Sequence, residues 1–164
     1  MNTLDQQLVQ EVISRYPEGK EKSALLPLLH LAQDANGGWL DQPVMDYVAG
    51  LLNLKPIEVY EVATFYTMYN LKPVGKYVFE VCQTGPCMVR GSDQIIDHIR
   101  QRLGIEPGET TADGLFSLKV VECLGACGYA PMMQFGKGYE EHLTPEKIDQ
   151  IIDNCRQKAN NPGD

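Results

Sequence analysis

Two tight pairs of cysteines constrain this chain more than any other feature of its sequence. The first pair is Cys82 and Cys87, the second is Cys123 and Cys127, and a long segment separates the two pairs. If the pairs meet in space, they offer four thiolates, which is the donor set of an all-cysteine iron–sulfur cluster or of a zinc site. We therefore predict one metal site at these four residues.

The residues around the cysteines favour iron and sulfide. Small residues occupy both loops, Thr84-Gly85-Pro86 in the first and Gly125-Ala126 in the second, so backbone N–H groups can approach the sulfur atoms closely. The chain's three histidines all lie outside these loops, which argues against a Rieske centre. The ligands also come two and two, which matches a cluster of two irons better than the compact cysteine run of a [4Fe–4S] ferredoxin.

Two other uses of the four cysteines stay open at this point. Structural zinc is the main alternative, because zinc sites use cysteine pairs of similar spacing. Thiol–disulfide chemistry is the other, although it usually comes from a Cys-x-x-Cys motif that this chain does not contain. The fifth cysteine, Cys155, lies on the apolar stripe of the last predicted helix, so we expect a core thiol there and not a further ligand. Met132 and Met133 are likewise expected to pack.

Length and charge limit the possible partners. The chain has 164 residues, of which 43% are hydrophobic, enough for one domain with an extension. Its formal net charge of −8 disfavours nucleic acid and anionic membranes as partners. The first residues resemble neither a signal peptide nor a transit peptide, and the longest apolar runs are far too short to cross a membrane. We therefore expect a cytoplasmic protein without direct membrane insertion.

The first part of the chain, residues 1–72, has the spacing of apolar residues that is typical of helices. Pro27 falls inside the second predicted helix, where proline is tolerated only if Ser23 is close to the N-cap, so that Pro27 lies in the opening turn. Asp41 is the expected N-cap of the third helix. The four predicted helices span residues 3–16, 23–34, 41–52 and 55–66.

The second part, residues 75–164, changes to an alternation that is typical of strands. Strands are predicted at residues 77–81, 115–122, 131–135 and 138–143. One helix is expected to start with Ser92 as its N-cap and to end at Gly104, and a last helix to start with Thr144 as its N-cap. This order of elements is thioredoxin-like. The predicted fold class is therefore α+β, with an N-terminal helical bundle followed by a thioredoxin-like α/β domain, and the domain boundary lies near Pro73.

Several motifs resemble the thioredoxin-like [2Fe–2S] ferredoxins. The first is Cys82-x₄-Cys87 followed by Gly91, and the second is Cys123-Leu-Gly-Ala-Cys127 followed by Pro131. Further stretches resemble, more narrowly, the 24 kDa subunit family of respiratory complex I, called NuoE in bacteria; they are Gly38-Trp39-Leu40, Val59–Tyr66, Pro73-x-Gly75 and Thr110–Phe116. The resemblance covers nearly the whole chain. It implies one [2Fe–2S] cluster bound by Cys82, Cys87, Cys123 and Cys127.

The resemblance also implies a role in NADH:quinone oxidoreductase. Such a cluster moves one electron at a time whereas NADH gives a hydride, so a flavin must stand between them. The chain contains neither Gly-x-Gly-x-x-Gly nor a Walker A run, so FMN and NADH are expected on a partner subunit. In the complex I family that partner is the 51 kDa flavin subunit, NuoF. We therefore expect an electron carrier that does not oxidise NADH in isolation.

The expected setting is a peripheral arm of complex I, together with its other subunits, on the cytoplasmic side of the inner membrane. The equivalent diaphorase subunit of an NAD-linked hydrogenase or formate dehydrogenase is an alternative, and a Cys₄ zinc-stabilised binding module is an alternative of another class. The stretch from Glu61 to Tyr66 is a candidate for much of the docking surface. The aromatic residues Tyr60, Phe65, Tyr66 and Tyr69 are nevertheless expected mainly to pack the helices together.

Overall fold

The computed structural model describes residues 4–161. The chain divides into two compact units, one from Met1 to Pro73 and the other from Val74 to Asp164. In the described part of the first unit every regular element is a helix, whereas the second unit contains a four-stranded sheet. None of the described helices combines the length and the apolar character that crossing a bilayer requires.

The first unit contains four α-helices, close to the ranges that the sequence predicts. They are α1 (Gln6–Ser14), α2 (Leu25–Ala35), α3 (Gln42–Leu51) and α4 (Pro56–Phe65). Asp41 caps α3 as expected, because its carboxylate accepts the N–H of Val44 at 2.9 Å. Ala24 occupies the N-cap of α2, so Ser23 lies next to the cap and Pro27 lies in the opening turn, as predicted. Ser23 itself belongs to a 3₁₀ turn, Glu21–Ala24, that precedes α2. The predicted start of α1, at residue 3, falls outside the described residues.

The segment after α4 is attached to the helices by partly buried polar contacts. The Tyr69 hydroxyl donates to the carbonyl of Leu26 at 3.0 Å, and the Asn70 side chain donates to the carbonyl of Gly38 at 2.8 Å. The backbone N–H of Asn70 donates to the side-chain oxygen of Gln33 at 2.7 Å. Because buried polar groups need such partners, these bonds fix the course of the chain immediately after α4.

The second unit is built on a mixed sheet of four strands. They are β1 (Tyr77–Cys82), β2 (Phe116–Val121), β3 (Met133–Phe135) and β4 (Gly138–Glu140), in the order β2-β1-β3-β4. Strands β1 and β2 run parallel, and the other two pairs are antiparallel. This arrangement, with its helices, confirms the predicted α+β class and thioredoxin-like order. The last three strands are shorter than their predicted ranges.

The described part of the second unit also contains three α-helices, α5 (Gly85–Val89), α6 (Ser92–Leu103) and α7 (Pro145–Asn160), and a 3₁₀ helix, Cys127–Tyr129. Helix α6 is the crossover that a parallel strand pair requires. It ends at Gly104 in the left-handed region as expected, but Gly91, not Ser92, occupies its N-cap, and Ser92 is buried as the first residue of the helix. The Thr144 hydroxyl caps α7 by accepting the N–H of Lys147 at 3.2 Å.

The parallel pairing fixes where the cysteine loops begin. Cys82, the last residue of β1, is in register with Val121, the last residue of β2. Carboxyl ends of parallel neighbours meet at the same edge of a sheet. The chain therefore leaves β1 toward Cys87 and leaves β2 toward Cys123 from one edge, which brings two segments that are distant in sequence to the same place.

The entry into β1 passes so close to β2 that only glycine fits at position 75. A Cβ atom on Gly75 would lie 2.7 Å from the backbone carbon and 2.8 Å from the nitrogen of Phe116. The Gly75 N–H also donates to the buried Ser117 hydroxyl at 2.7 Å. A side chain at position 75 would therefore push apart two backbones that are already hydrogen-bonded together.

We predict that Gly75→Ala lowers the free energy of unfolding by about 2 kcal/mol or more, because overpacking against backbone cannot relax by a rotamer change. Urea denaturation of the full metal-free chain, followed by circular dichroism, measures this. Gly138→Ala is the matched control, since nothing lies within 4 Å of its added Cβ. Equal stability of the two variants would contradict the close approach.

Candidate metal centre

The first cysteine pair is buried and is formed by a strand end and one short helix. Cys82 closes β1 and is 4% exposed, while Cys87 lies in α5 and is 2% exposed. The Cys87 N–H donates to the carbonyl of Thr84 at 2.8 Å, which makes the turn between them. The turn places both cysteines in one buried cluster, and each thiol affects the pKa of the other.

The second pair lies in an exposed loop that has its own internal bonds. Cys123 and Cys127 are both exposed. Gly125 adopts a positive φ of 75°, and its N–H donates to the Cys123 sulfur at 3.3 Å. The Tyr139 hydroxyl donates to the carbonyl of Leu124 at 3.0 Å, which ties the loop to β4. The loop therefore already directs one N–H group at a cysteine sulfur.

The two loops are in contact. Leu124 packs with Ala126 against the buried cluster of Cys82, Cys87, Ala130 and Met132, and hydrogen bonding from the Leu124 backbone is one of the causes that lower the pKa of Cys82. Within residues 4–161, no three His, Cys, Asp or Glu side chains are grouped as a site for one metal ion. The structure thus brings the first pair together and lays the second loop against it, while Cys123 and Cys127 remain on the exposed side.

The two thiols of the first pair differ in pKa. Burial opposes ionisation of Cys82, but hydrogen bonds from the backbone of Leu124 and Thr84 and from the Cys87 thiol outweigh it, so the pKa of Cys82 is lowered. Burial and the hydrogen bond with Cys82 raise the pKa of Cys87 to about 11. Cys82 is therefore the first thiolate of the pair, and Cys87 donates its proton toward it.

These residues fit an all-thiolate cluster. The Gly125 N–H already donates to the Cys123 sulfur at 3.3 Å, and hydrogen bonding from the backbone of Leu124 and Met132 favours the ionised forms of Cys82 and Cys87 respectively. Such N–H groups stabilise the negative sulfurs of an iron–sulfur centre. Three glycines of the two loops have no atom within 4 Å of an added Cβ, so the backbone at these positions is not packed against other groups; they are Gly85, Gly125 and Gly128.

The other sulfur-bearing residues pack as expected. Cys155 is buried in the hydrophobic core of the second unit, with Ile148 and Ile152 of α7. Burial raises the pKa of its thiol, which keeps it neutral. Met133 belongs to the same core, and Met132 packs against Cys82 and Cys87.

Sequence reasoning missed Thr84 and Leu124, because the loop length alone does not tell which groups reach a sulfur. A threonine before a Gly-Pro helix start is a signal for a cap, and that signal could have drawn attention to Thr84.

Comparison with known families decides the assignment. A family model described as thioredoxin-like [2Fe–2S] ferredoxin matches residues 9–156. The chain belongs to this family. Two relatives are named as a subunit of NADH-quinone oxidoreductase. The protein from Rickettsia bellii is 52% identical over 149 residues, covering 91% of this chain and 89% of its own, and that from Rickettsia conorii is 52% identical over 146 residues, covering 89% and 87%.

A solved structure has the same fold. The crystal structure of an NAD⁺-reducing [NiFe]-hydrogenase in the air-oxidised state aligns with a TM-score of 0.72 at 23% identity, over 82% of this chain. The match spans only 23% of the hydrogenase chain. At this identity the similarity concerns the fold alone.

We predict that metal uptake by the metal-free chain releases protons. With its pKa raised to about 11, the Cys87 thiol is protonated at neutral pH, and a metal binds only the thiolate. The affinity for Co²⁺ should therefore rise with pH, about tenfold per pH unit for each proton released. Absorption titrations between about pH 6 and about pH 8 measure this.

The variants Cys87→Ser and Cys155→Ala test whether the pH dependence of the Co²⁺ affinity comes from a ligand thiol. Cys87→Ser should lower the slope by about one proton, because one of the thiols that release protons is gone, whereas Cys155→Ala should keep the slope unchanged. An affinity that does not change with pH in the unmodified chain would show that the thiols are already ionised.

Proposed function

We propose that this chain is the [2Fe–2S] electron-transfer subunit of an NADH:quinone oxidoreductase and that Cys82, Cys87, Cys123 and Cys127 bind the cluster. The observation that carries the proposal is the parallel pairing of β1 and β2, which starts both cysteine loops at one sheet edge. The relatives named as a subunit of NADH-quinone oxidoreductase, which match about nine-tenths of the chain, support the choice of complex.

The chain's own residues prepare the site in three ways. The four thiols lose their protons and supply the ligands. The N–H groups of Leu124, Gly125 and Met132 stabilise negative sulfur, and the apolar side chains packed around Cys82 and Cys87 keep water away from the buried half. When bound, the cluster supplies transfer of one electron at a time.

The substrate-binding parts belong to a partner. Because a hydride donor needs a two-electron acceptor, FMN and NADH lie on a NuoF-like flavin subunit, and this chain receives single electrons from it. Alone, the chain does not oxidise NADH. It works in a peripheral arm on the cytoplasmic side of the membrane, beside the other subunits of the arm.

An exposed apolar surface on the helical unit is the first docking candidate. Helix α4 buries Val59 and Ala63, while Ile57 is 57% and Phe65 76% exposed. The expectation that Phe65 packs the helices was wrong, and its ring instead meets that of Tyr66 edge to face on the surface. Met68 and Leu71 are also exposed. These five exposed apolar residues lie on α4 or in the segment that follows it, and we name them together the α4 patch; they are Ile57, Phe65, Tyr66, Met68 and Leu71.

A second exposed apolar group borders the cysteines. Met88 and Val89 follow Cys87 in α5 and are 49% and 87% exposed, and Tyr129, which follows Cys127, is 51% exposed. Exposed apolar residues beside a redox site suit a protein partner better than solvent. We propose that the flavin subunit covers this group, because electrons have to enter near the cysteines.

Two other functions are each supported by a specific observation. The diaphorase subunit of an NAD-linked hydrogenase shares the fold, as the similarity to the NAD⁺-reducing hydrogenase indicates. A zinc-stabilised binding module would use the same four cysteines. The fold serves both redox complexes, and the curated relatives favour the quinone-linked one.

Iron and sulfide analysis of anaerobically purified protein tests the cluster. We expect about two irons and two sulfides per chain, with visible absorption, because four thiolates complete the coordination of two irons. Replacing any one ligand by serine, for example Cys123→Ser, should lose or reshape the spectrum. Cys155→Ala is the control and should leave it unchanged. Stoichiometric zinc in a colourless, folded protein would refute the proposal.

Docking is tested by co-purification with the flavin subunit. We propose that residues 1–72 and 75–164 are separate domains, so a chain lacking residues 1–72 should keep its iron and sulfide. It should nevertheless bind the flavin subunit more weakly. In the full chain, Phe65→Ser should weaken binding about tenfold or more, as loss of a central aromatic contact does.

Leu8→Ser is the matched control, since Leu8 is an exposed apolar residue of α1 outside the α4 patch. It should bind as the unmodified chain does. Undiminished binding by the truncated chain would exclude the α4 patch as a docking surface. Turnover of NADH with ferricyanide by the lone chain would exclude the electron-carrier role.

A further inference from the structure

Thr84 occupies a helix N-cap without capping the helix. It precedes Gly85, the first residue of α5, and threonine at this position usually accepts a backbone N–H with its side chain. Here the side chain makes no such bond, and the Cys87 N–H goes to the Thr84 carbonyl instead. The Thr84 hydroxyl is therefore available to bond a group other than the backbone of α5.

The hydroxyl oxygen of Thr84 is buried, although part of the residue is exposed. Among residues 4–161 it finds no hydrogen-bond partner, a situation it shares with the Ser92 hydroxyl. A hydroxyl carries one donor and two acceptor sites, and leaving it unpaired away from water costs free energy. An unpaired buried hydroxyl in a native protein calls for a partner that belongs to the functional state.

The hydroxyl belongs to the loop between two of the predicted ligands. Thr84 follows Cys82 by two residues, and its carbonyl accepts the Cys87 N–H at 2.8 Å. The Thr84 side chain is also among the groups that lower the pKa of the Cys82 thiol. The backbone groups of Thr84 and Leu124 lower the pKa of the same thiol. The buried, unpaired Thr84 hydroxyl thus adds a possible side-chain O–H donor in the loop that follows Cys82.

We propose that the Thr84 hydroxyl donates a hydrogen bond to the sulfur of Cys82 in the cluster-loaded protein and thereby raises the reduction potential. The inference rests on the proposed function, because it takes Cys82 as a ligand. Thr84 is a positioning and tuning residue in this account and transfers neither the electron nor a proton.

The direction of the effect follows from charge. Reduction by one electron, supplied in a titration by a chemical reductant, increases the negative charge on the ligand sulfurs. A donor directed at such a sulfur stabilises the more negative state more than the less negative one. Removing the O–H group should therefore disfavour the reduced state and make the potential more negative.

The test is a potentiometric titration of the full chain, followed by electron paramagnetic resonance of the reduced cluster. Thr84→Val keeps the shape of the side chain and removes the hydroxyl. We expect the reduction equilibrium to shift at least threefold against the reduced state, or about 28 mV at 59 mV per tenfold change. Thr84→Ser retains an O–H group and should restore most of the unmodified potential.

Thr64→Val is the matched control, since the Thr64 hydroxyl donates to the carbonyl of Tyr60 within α4. It should leave the potential unchanged. An unchanged potential in Thr84→Val with an intact cluster would overturn the inference, as would an equal shift in Thr84→Ser.

Thr84→Ala provides a second variant without the hydroxyl. If neither Val nor Ala at position 84 assembles a cluster while Ser does, the hydroxyl is needed to build the site, and the proposal that it tunes the potential is overturned. Unmodified chain without iron and sulfide would instead refute the proposed function itself. The two failures are therefore distinguishable.

Discussion

The parallel pairing of β1 with β2 is the constraint on which the rest of the site depends. Its register sets Cys82 opposite Val121, so both loops that carry cysteines leave the sheet at one edge. Three features maintain this register and therefore the position of the cysteine loops. They are the α6 crossover, the glycine at position 75 that lets the chain enter β1 against β2, and the apolar core of the second unit. A shift of one residue would turn Cys82 to the other face of the sheet.

The two halves of the site differ in exposure, and the difference fits an electron carrier. Cys82 and Cys87 are enclosed by apolar groups and N–H donors, whereas Cys123 and Cys127 lie on the surface. The enclosed half limits access of water, and the exposed half offers a short route to a partner. The chain's net charge of −8 does not stabilise the extra negative charge that reduction adds to the cluster. Local hydrogen-bond donors, such as those around Cys82, therefore contribute more of this stabilisation.

Local signals in the sequence predicted the elements that depend on local chemistry. The Thr144 cap, the Gly104 helix end and the strand that ends at Cys82 all follow from residue type and spacing. The features that were missed depend on tertiary contacts. Helix α5 has only five residues and reads as a loop, and the exposure of Phe65 follows from how the helices pack, which periodicity does not specify. For the site, the sequence indicates the four cysteines but not the donors that reach their sulfurs.

The most direct test of the account is Mössbauer spectroscopy of the full chain reconstituted with isotopically enriched iron and sulfide. The account predicts two coupled ferric ions, both coordinated only by sulfur, and after reduction a single unpaired electron per chain. Nitrogen coordination at either iron, or isolated single-iron sites, would contradict the claim that two cysteine pairs meeting at the edge of a parallel strand pair bind one cluster.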